Sequence, residues 1–257
     1  MRMRAWFKGL VVAALLQSVA SPPALAQSAA TGPDLNFYIS HGVPSPDQPW
    51  QLSDVQAAAN ALQALPLSQL PRSSNPGGAP IMVRLLDPAL LAPCDDKEIA
   101  LAARVATCSS LLQTYSGIGQ LYADAQREDL SISDDTIREL TVALRGGAAL
   151  IRLMNEVLPT LSPSDPQYAQ RMQAVERVRR GAAGILQGTI IAMTNERRVY
   201  SAAAAGDVAR VLAETLPTFL PAIADTDKTT ILASVARIAR DDPSPQVRAA
   251  LARYATN

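Results

Sequence analysis

The sequence has little of what most catalytic and metal-binding sites need. Its 257 residues include one histidine and two cysteines, and aromatic residues make up only 4% of the chain. Two cysteines and a distant single histidine do not make a zinc site. Neither a GxxxxGK[ST] phosphate loop nor a GxSxG nucleophile elbow occurs in the sequence. The sequence therefore predicts no metal and no cofactor, and it favours a role that is not enzymatic.

The single histidine, His41, is the one place where nearby residues suggest nucleophilic chemistry. A hydrolase triad needs a nucleophile and an acid close to the histidine in space. Asp34, Ser40 and Ser45 are close to His41 in the sequence, but closeness in sequence does not establish triad geometry. The pattern favours a loop histidine, and an enzyme with a site near His41 is the third functional hypothesis.

Basic and acidic residues balance over the whole chain, at 23 each. Arg2, Arg4 and Lys8 precede the predicted signal cleavage point, so the mature chain would carry 20 basic and 23 acidic residues, a net charge of −3. Proteins that bind nucleic acid or an anionic membrane surface are usually basic. The charge balance therefore predicts no nucleic-acid partner.

Residues 1–26 have the three parts of a secretory signal peptide. The basic start is followed by a short apolar stretch at residues 10–16 and by Ala24-Leu25-Ala26, a small-x-small cleavage motif. The apolar stretch is shorter than the roughly 20 residues that a membrane-spanning helix needs, and no later stretch is long enough. We expect cleavage after Ala26 and a periplasmic mature protein, with secretion beyond the outer membrane as the alternative.

The two cysteines, Cys94 and Cys108, both fall in the predicted mature chain. An isolated pair in an oxidising compartment usually forms a disulfide. A disulfide needs Cα atoms within about 7 Å, whereas an unbroken helix from Asp96 to Cys108 would separate its ends by about 18 Å. Either the helix starts later than its composition suggests, or it breaks before Cys108, or the thiols stay free. We expect the disulfide, with irregular backbone between the two cysteines.

Residues 27–95 are predicted to form a loop-rich N-terminal segment with one helix. That helix is expected over residues 53–65, with Ser53 and Gln56 as a capping box. Two short apolar stretches, residues 35–40 and 81–86, are strand candidates that would pair into a minor β-ribbon. A short apolar run cannot be told from a buried helix by its pattern alone.

Residues 96–257 are predicted to form an α-helical domain. Proline, glycine and serine clusters divide it into helices. The expected helices cover residues 98–127, with an interruption near Cys108 or near Gly117 and Gly119, then 133–158, 164–200, a helix from 207 that Pro217 and Pro221 interrupt, 226–240 and 244–254. Acidic pairs at 95–96, 134–135 and 241–242 precede or open helices, where capping and the helix dipole account for them.

Glycines mark the two central predicted helices. Gly181, Gly184 and Gly188 lie on one face of the longest predicted helix, and Gly146 and Gly147 interrupt the helix before it. Each glycine inside a helix costs about 1 kcal/mol relative to alanine, and close packing of the glycine face against a neighbouring backbone would compensate. Room for a ligand is the alternative, and it supports the hypothesis of a carrier for a small apolar molecule or lipid.

The same long helix carries the candidate binding residues Arg171, Arg177, Arg179 and Arg180. One interpretation is a stripe that binds an anion or a protein partner. The other is a solvated face with ordinary helix ion pairs, worth roughly a few tenths of a kcal/mol each. Glu176 lies next to Arg177, which favours the second interpretation.

Residues 231–255 resemble a single HEAT-type helical repeat. The resemblance rests on Asp241-Asp242-Pro243-Ser244-Pro245, followed by Val247-Arg248 and Ala250-Leu251. It implies a helical hairpin at the end of the chain. No repeat of fixed period precedes it, and a solenoid usually needs at least about three repeats.

Together these features predict a mainly α fold. We expect a multi-helix bundle or an irregular α-array with a C-terminal HEAT-like helical hairpin and a minor β-ribbon near the N-terminus. The leading functional prediction is an exported periplasmic protein that acts by protein–protein interaction, as an adaptor, an assembly factor or a chaperone-like subunit, with a partner in the cell envelope. A carrier of a small apolar ligand or lipid, and an enzyme with a site near His41, are the alternatives.

Overall fold

The computed structural model describes residues 40–74, 78–129, 133–195 and 200–255. The predicted signal peptide and residues 35–39 of the first strand candidate lie outside these ranges. The described residues are mainly helical and contain no strand, which confirms the mainly α prediction. No helix in these ranges is long and apolar enough to span a membrane.

The chain alternates long helices with short helical turns. The helices are α1 (Leu52–Gln63), α2 (Ala79–Leu85), α3 (Ala92–Asp95), α4 (Leu101–Asp129), α5 (Ser133–Val157), α6 (Tyr168–Thr194), α7 (Ala202–Phe219), α8 (Asp225–Asp241) and α9 (Pro245–Leu251). Single 3-10 turns flank several of them, at Leu67–Gln69, Pro88–Leu91, Leu158–Thr160, Leu220–Ala222 and Ala252–Tyr254. The chain up to α3 is therefore built of short elements, α4 to α8 are long, and α9 is short again.

Two hydrophobic clusters lie on opposite sides of α5. Val142 and Leu153 of α5 belong to the first cluster, which reaches back to Val43 and is called the N-terminal core here. Leu144 and Ile151 of α5 belong to the second, which continues to the end of α9 and is called the C-terminal core. Because an α-helix turns once in 3.6 residues, these alternating positions place α5 between the two cores.

The strand predicted for residues 81–86 is wrong, because residues 81–85 lie in α2. Pro80 occupies the first turn of α2, where its missing N–H costs nothing. Ile81, Met82 and Leu85 are buried, whereas Val83 is 65% exposed. A helix satisfies its backbone hydrogen bonds internally, so this short apolar run needs no partner strand.

The capping box predicted at Ser53 and Gln56 is also wrong. The α1 helix begins one residue earlier, and the backbone N–H of Gln51 donates to Asp54 Oδ2 at 2.7 Å. Ser53 therefore lies inside the helix. The Gln56 side chain donates instead to Ser110 Oγ on α4, at 2.9 Å, so it joins two helices rather than capping one.

The α4 helix runs without the predicted interruption through Cys108 and Gly117. It starts at Leu101, later than residue 98, and residues 96–100 before it are irregular. This later start is one of the ways in which the sequence allowed the two cysteines to meet. Helix α5 keeps its predicted extent to within one residue.

The starts of α6 and α7 differ from the predicted ones for local reasons. Helix α6 begins at Tyr168 rather than at residue 164, because Asp165 Oδ1 accepts a hydrogen bond from the Gln167 N–H at 2.8 Å and forms a turn. Helix α7 begins at Ala202, where Ser201 Oγ accepts from the Ala204 N–H at 3.2 Å. Pro217 lies inside α7 without ending it.

The C-terminal residues form the helical hairpin of α8 and α9. Asp242 Oδ1 accepts a hydrogen bond from the Ser244 N–H at 2.9 Å, which shapes the turn between the helices. Ser244 Oγ then caps α9 through the Val247 N–H at 3.4 Å. Ser244 is therefore the N-cap of α9, next to Pro245 in its first turn. Asp242, for which capping was predicted as part of the acidic pair, bonds within the turn instead.

Candidate functional site

Two acidic residues on α5 are buried one helical turn apart. Asp135 is 3% exposed and Glu139 is 8% exposed. A spacing of four residues places their side chains on the same face of α5. Buried carboxyl groups are uncommon unless they have polar partners. This acid pair is therefore a candidate functional site.

Asp135 is held by the segment that precedes α2. The backbone N–H of Ser73 donates to Asp135 Oδ2 at 3.1 Å and lies 3.3 Å from Oδ1. Arg138 Nη1 lies 3.4 Å from the Ser73 hydroxyl, which ties the same segment to α5. Burial raises the pKa of Asp135, and the hydrogen bonds from Ser73 oppose this increase. This aspartate thus serves as a tether between α5 and an irregular segment.

Glu139 lacks such support. Its Oε1 atom is buried and has no hydrogen-bond partner among the described residues. Its Oε2 atom lies so close to Gly119 of α4 that a Cβ built on that glycine would be 2.9 Å away. Burial, and then the nearby charge of Asp135, raise the pKa of Glu139 well above its usual value. Burial therefore favours the neutral form of this carboxyl group.

Two buried tyrosines of α4 complete the polar surroundings. The Tyr115 hydroxyl donates to the Leu85 carbonyl, and the Tyr122 hydroxyl donates to the Pro71 carbonyl at 2.6 Å. Burial raises the pKa of Tyr115, with smaller contributions from the charges of Glu139 and Asp87. Both hydroxyl protons are thus engaged in hydrogen bonds to backbone carbonyls.

The cluster does not have the composition of a metal centre. Within the described ranges, no three or more histidine, cysteine, aspartate or glutamate side chains are placed to share a metal ion. Asp135 and Glu139 contribute only two carboxyl groups, and one of them is held neutral by burial. What the arrangement can do chemically is bind and release one proton at Glu139.

Glu139 was not among the residues predicted from the sequence, although the spacing of apolar residues after it indicates burial. Positions 139, 142, 146, 149 and 153 follow a helical spacing of three and four residues, and all but Glu139 are apolar or glycine. An acid at the first position of such a series points to a buried carboxyl group. Capping and the helix dipole were expected to explain the acidic start of α5.

The acidic pair at 134–135 instead joins α5 to both halves of the chain. Asp134 Oδ1 accepts from the Ser201 N–H at 2.6 Å and its Oδ2 accepts from the Ser201 hydroxyl at 2.8 Å, at the start of α7. Asp135 binds Ser73 on the other side. Tertiary hydrogen bonds therefore account for this pair, in addition to its favourable position in the first turn of α5.

The four candidate arginines lie along the first half of α6 and differ in their partners. Arg171 pairs with Asp165 at 3.0 Å, and Arg179 pairs with Glu176 at 2.8 Å. Arg180 Nε donates to the Glu176 carbonyl at 3.2 Å. Arg177 is exposed. The group thus combines the ion pairs of an ordinary helix surface with guanidinium groups that face solvent.

The close packing expected along the glycine face is wrong at Gly181 and Gly184, whereas Gly188 on the same face is buried. A Cβ built on Gly181 or Gly184 would have no atom of the described residues within 4 Å, so these residues leave open space next to the helix. Ile191, two turns further on the same side of α6, is 50% exposed. We call this surface the α6 face and define it by Arg177, Arg180, Gly181, Gly184 and Ile191. Close packing occurs instead at Gly146 and Gly147 of α5.

Cys94 and Cys108 lie at disulfide distance, with Cα atoms 5.7 Å apart. Irregular backbone separates α3 from α4 between them, as predicted. An ion-pair group lies nearby, where Arg104 Nη2 contacts Glu156 Oε2 at 2.7 Å and Lys97 also contacts Glu156. The hydrogen bonds from Arg104 and then Lys97 lower the pKa of Glu156 to about 2. The start of α4 is thus fixed to the end of α5.

His41 lies in an exposed turn, where its Nδ1 is 3.1 Å from the Ser40 hydroxyl. Ser45 Oγ instead donates to Asp47 Oδ2 at 3.2 Å, and Asp34 lies outside the described residues. A shallow groove of about 400 Å³ lies between α7 and α9, with Arg210, Glu214 and Arg253 among its lining residues. Neither place brings together the groups of a nucleophilic site among the residues that the structure describes.

No family model, no curated protein and no solved structure matches this chain.

Proposed function

We propose that this chain is an exported periplasmic protein that acts by binding another protein, as an adaptor, an assembly factor or a chaperone-like subunit. The observation that carries the proposal is the α6 face. It combines exposed guanidinium groups with an exposed isoleucine and with open space beside two glycines. Arginine is enriched in protein-binding surfaces, and the central part of such surfaces is apolar.

The charges of the α6 face indicate the chemistry of the partner. Arg171 and Arg179 have acidic neighbours on the protein itself, whereas Arg177 and Arg180 are exposed and bring positive charge to this surface. Gly181 and Gly184 allow a second backbone to approach the helix closely, because no side chain lies between. An acidic segment with an apolar side chain directed at Ile191 fits this surface.

Two further observations are consistent with export. The disulfide distance between Cys94 and Cys108 suits an oxidising compartment such as the periplasm. The first 26 residues have the sequence of a cleavable signal. The test is to sequence the N-terminus of the protein recovered from the periplasmic fraction. A mature chain that begins at Gln27 supports the proposal, and a full-length chain in the cytoplasmic fraction contradicts it.

The α8–α9 hairpin extends the proposal. It has the helix–turn–helix arrangement that a HEAT-type repeat would have, with a short Asp-Pro-Ser-Pro turn. Repeats of this type bind proteins along surfaces formed by stacked helices. We assign the hairpin the role of supporting α7 behind the α6 face, since α9 packs on α7 and α8 packs on α6.

The experiment that tests binding is an in-cell crosslink of the tagged protein at native expression, followed by purification and mass spectrometry. A stoichiometric protein partner is expected, and it should disappear when Arg177→Glu and Arg180→Glu are introduced together. The matched control is Arg210→Glu with Arg237→Glu on α7 and α8, which has the same change in charge and should keep the partner. Circular dichroism of both variants checks that they fold.

Two results would overturn the proposal. The first is the absence of any crosslinked partner, with the protein running as a compact monomer. Native mass spectrometry that then finds a bound small molecule would support the carrier hypothesis instead. The second is a partner that both double variants retain, because the α6 face would then have no part in binding.

A further inference from the structure

The contact between α4 and α5 contains a buried carboxyl group with little polar support. Glu139 is 8% exposed, and its Oε1 atom has no hydrogen-bond partner within the described part of the chain. Its Oε2 atom lies against the backbone of Gly119. Glutamate at this position therefore has little access to solvent, and one of its two carboxyl oxygens has no hydrogen-bond partner, which disfavours a carboxylate.

In the part of the chain that the structure describes, the ionisable groups near Glu139 do not balance its charge. Asp135, one turn earlier on α5, has an acidic side chain and raises the pKa of Glu139 further. The hydroxyl group of Tyr115 on α4 donates a hydrogen bond to the Leu85 carbonyl. Arg138 is directed to Ser73, on the segment that also contains Arg72. No basic side chain is among the causes that set the pKa of Glu139.

We propose that Glu139 is a proton-linked lock on the contact between α4 and α5. In the closed state, the neutral carboxyl group fills the space beside Gly119 and the two helices pack. When the proton leaves to solvent, a carboxylate stays in an apolar contact close to Asp135. The favoured response is separation of the helices near Gly119, which admits water to the carboxylate and loosens the N-terminal core.

The sign of the pH effect follows from proton linkage. The folded protein holds the Glu139 proton more tightly than the unfolded chain, because the pKa is raised on folding. The closed state is therefore fully favoured below about pH 4.5, the usual value for glutamate, and it loses stability as pH rises through the raised pKa. Since one proton is released per opening, the opening constant rises by up to about tenfold per pH unit in this window.

The experiment is hydrogen–deuterium exchange of the full chain at a series of values from about pH 5 to about pH 9, corrected for the intrinsic exchange rate. We expect the opening constant of the α4 segment around Gly119 to rise with pH in the unaltered protein. In Glu139→Gln this rise should be much smaller, with only the weaker contribution of Asp135 remaining. The control variant Glu214→Gln changes an exposed glutamate on α7, and it should keep the pH dependence of the unaltered protein.

A second measurement observes Glu139 directly. The side-chain carboxyl carbon of Glu139 can be followed by ¹³C NMR during a pH titration. We expect it to titrate well above the usual value for glutamate, and to move towards that value in Gly119→Ala, because the added methyl group displaces the carboxyl group. An ordinary titration in the unaltered protein would overturn the proposal, as would equal pH dependence of exchange in the unaltered protein and Glu139→Gln.

Discussion

The two cores on either side of α5 solve the same packing problem with different means. The C-terminal core lies between long helices, and its buried hydroxyls at Thr189 and Thr215 donate to carbonyls of their own helices at 2.8 and 2.7 Å. The N-terminal core lies under short helices and irregular segments, whose carbonyls accept from buried Tyr115 and Tyr122. Irregular backbone cannot satisfy its own hydrogen bonds, so side chains must do so.

The difference also concerns charge. Buried acidic residues of α5, the Arg104–Glu156 ion pair and the cysteine pair all lie on the N-terminal side. On the C-terminal side, the buried acidic residue among the described ones is Asp242, whose Oδ1 accepts a hydrogen bond from the Ser244 N–H within a turn. The core there is otherwise built mainly of apolar side chains packed between helices. We conclude that the N-terminal core depends on individual polar and covalent links, and that the C-terminal core depends on apolar packing. The predictions below test this distinction.

The largest expected effect is the loss of the link between Cys94 and Cys108. With Cys94→Ala and Cys108→Ala together, the free energy of unfolding should fall by about 3 kcal/mol, the value for a closed loop of about 15 residues. Chemical unfolding measures the change. Hydrogen exchange should accelerate around Leu111 in the N-terminal core and stay unchanged around Phe219 in the C-terminal core.

A reductant provides the control for that experiment. If the link is a disulfide, a thiol reductant added to the unaltered protein should reproduce most of the loss seen in the double variant. Two titratable thiols in the unreduced, unfolded protein would show that no disulfide was present, and the distinction between the cores would lose its covalent part.

The adjacent glycines of α5 compare apolar packing on its two sides directly. A Cβ built on Gly147 would lie 2.8 Å from Ile185 Cδ1 and 2.9 Å from Phe219 Cζ, in the C-terminal core. A Cβ on Gly146 would meet the end of the Leu112 side chain at 2.5 Å. Phe219 is fully buried and rigid, whereas Leu112 is partly exposed and can turn away.

Gly147→Ala should therefore destabilise the protein by about 1–3 kcal/mol, as expected for overpacking. Gly146→Ala should change stability by less than about 1 kcal/mol, because the gain in helix propensity offsets the movement of Leu112. Urea unfolding of the two variants and the unaltered protein measures both values. Equal effects would mean that the two cores resist an added methyl group equally.

Long, strongly patterned helices were predictable from the sequence, and short ones were not. The bounds of α5 and α8 differ from the predicted ones by no more than one residue, because each combines a clear start signal with apolar residues at helical spacing. Residues 81–86 were misassigned because six apolar-rich residues fit a strand or a helix equally well. The irregular backbone between Cys94 and Cys108 was predictable from bond geometry alone.

The candidate sites show a different limit. Sequence identified the arginines of α6, but it could not show that Arg171 and Arg179 have acidic partners while Gly181 and Gly184 border open space. Those facts depend on which neighbours the fold brings to each side of a helix. Glu139 was missed because burial next to Gly119 involves a contact between two helices, and such contacts are not visible in the pattern of either helix alone.

The smallest expected effect concerns Glu156, which is partly exposed and ends the ion-pair group beside the cysteines. Hydrogen bonds from Arg104 and Lys97 lower its pKa from 4.5 to about 2. The pKa of Glu156 is lower in the folded protein than in the unfolded chain, so its charged form stabilises the fold above about pH 4.5. This contribution is lost as pH falls from about 4.5 towards about 2. Partly exposed ion pairs contribute little, so we expect a change in slope rather than unfolding.

Glu156→Gln should therefore flatten the decrease in stability on the acid side of the pH profile, while the decrease on the alkaline side that we attribute to Glu139 stays. The free energy of unfolding measured by urea at a series of pH values checks this, with Glu98→Gln as the control for loss of a nearby negative charge. If Glu156→Gln keeps the acid slope of the unaltered protein, the ion pair does not stabilise the N-terminal core. The links that distinguish this core would then be the cysteine pair, the hydrogen bonds of the Tyr115 and Tyr122 hydroxyl groups, and the hydrogen bonds from Ser73 to Asp135.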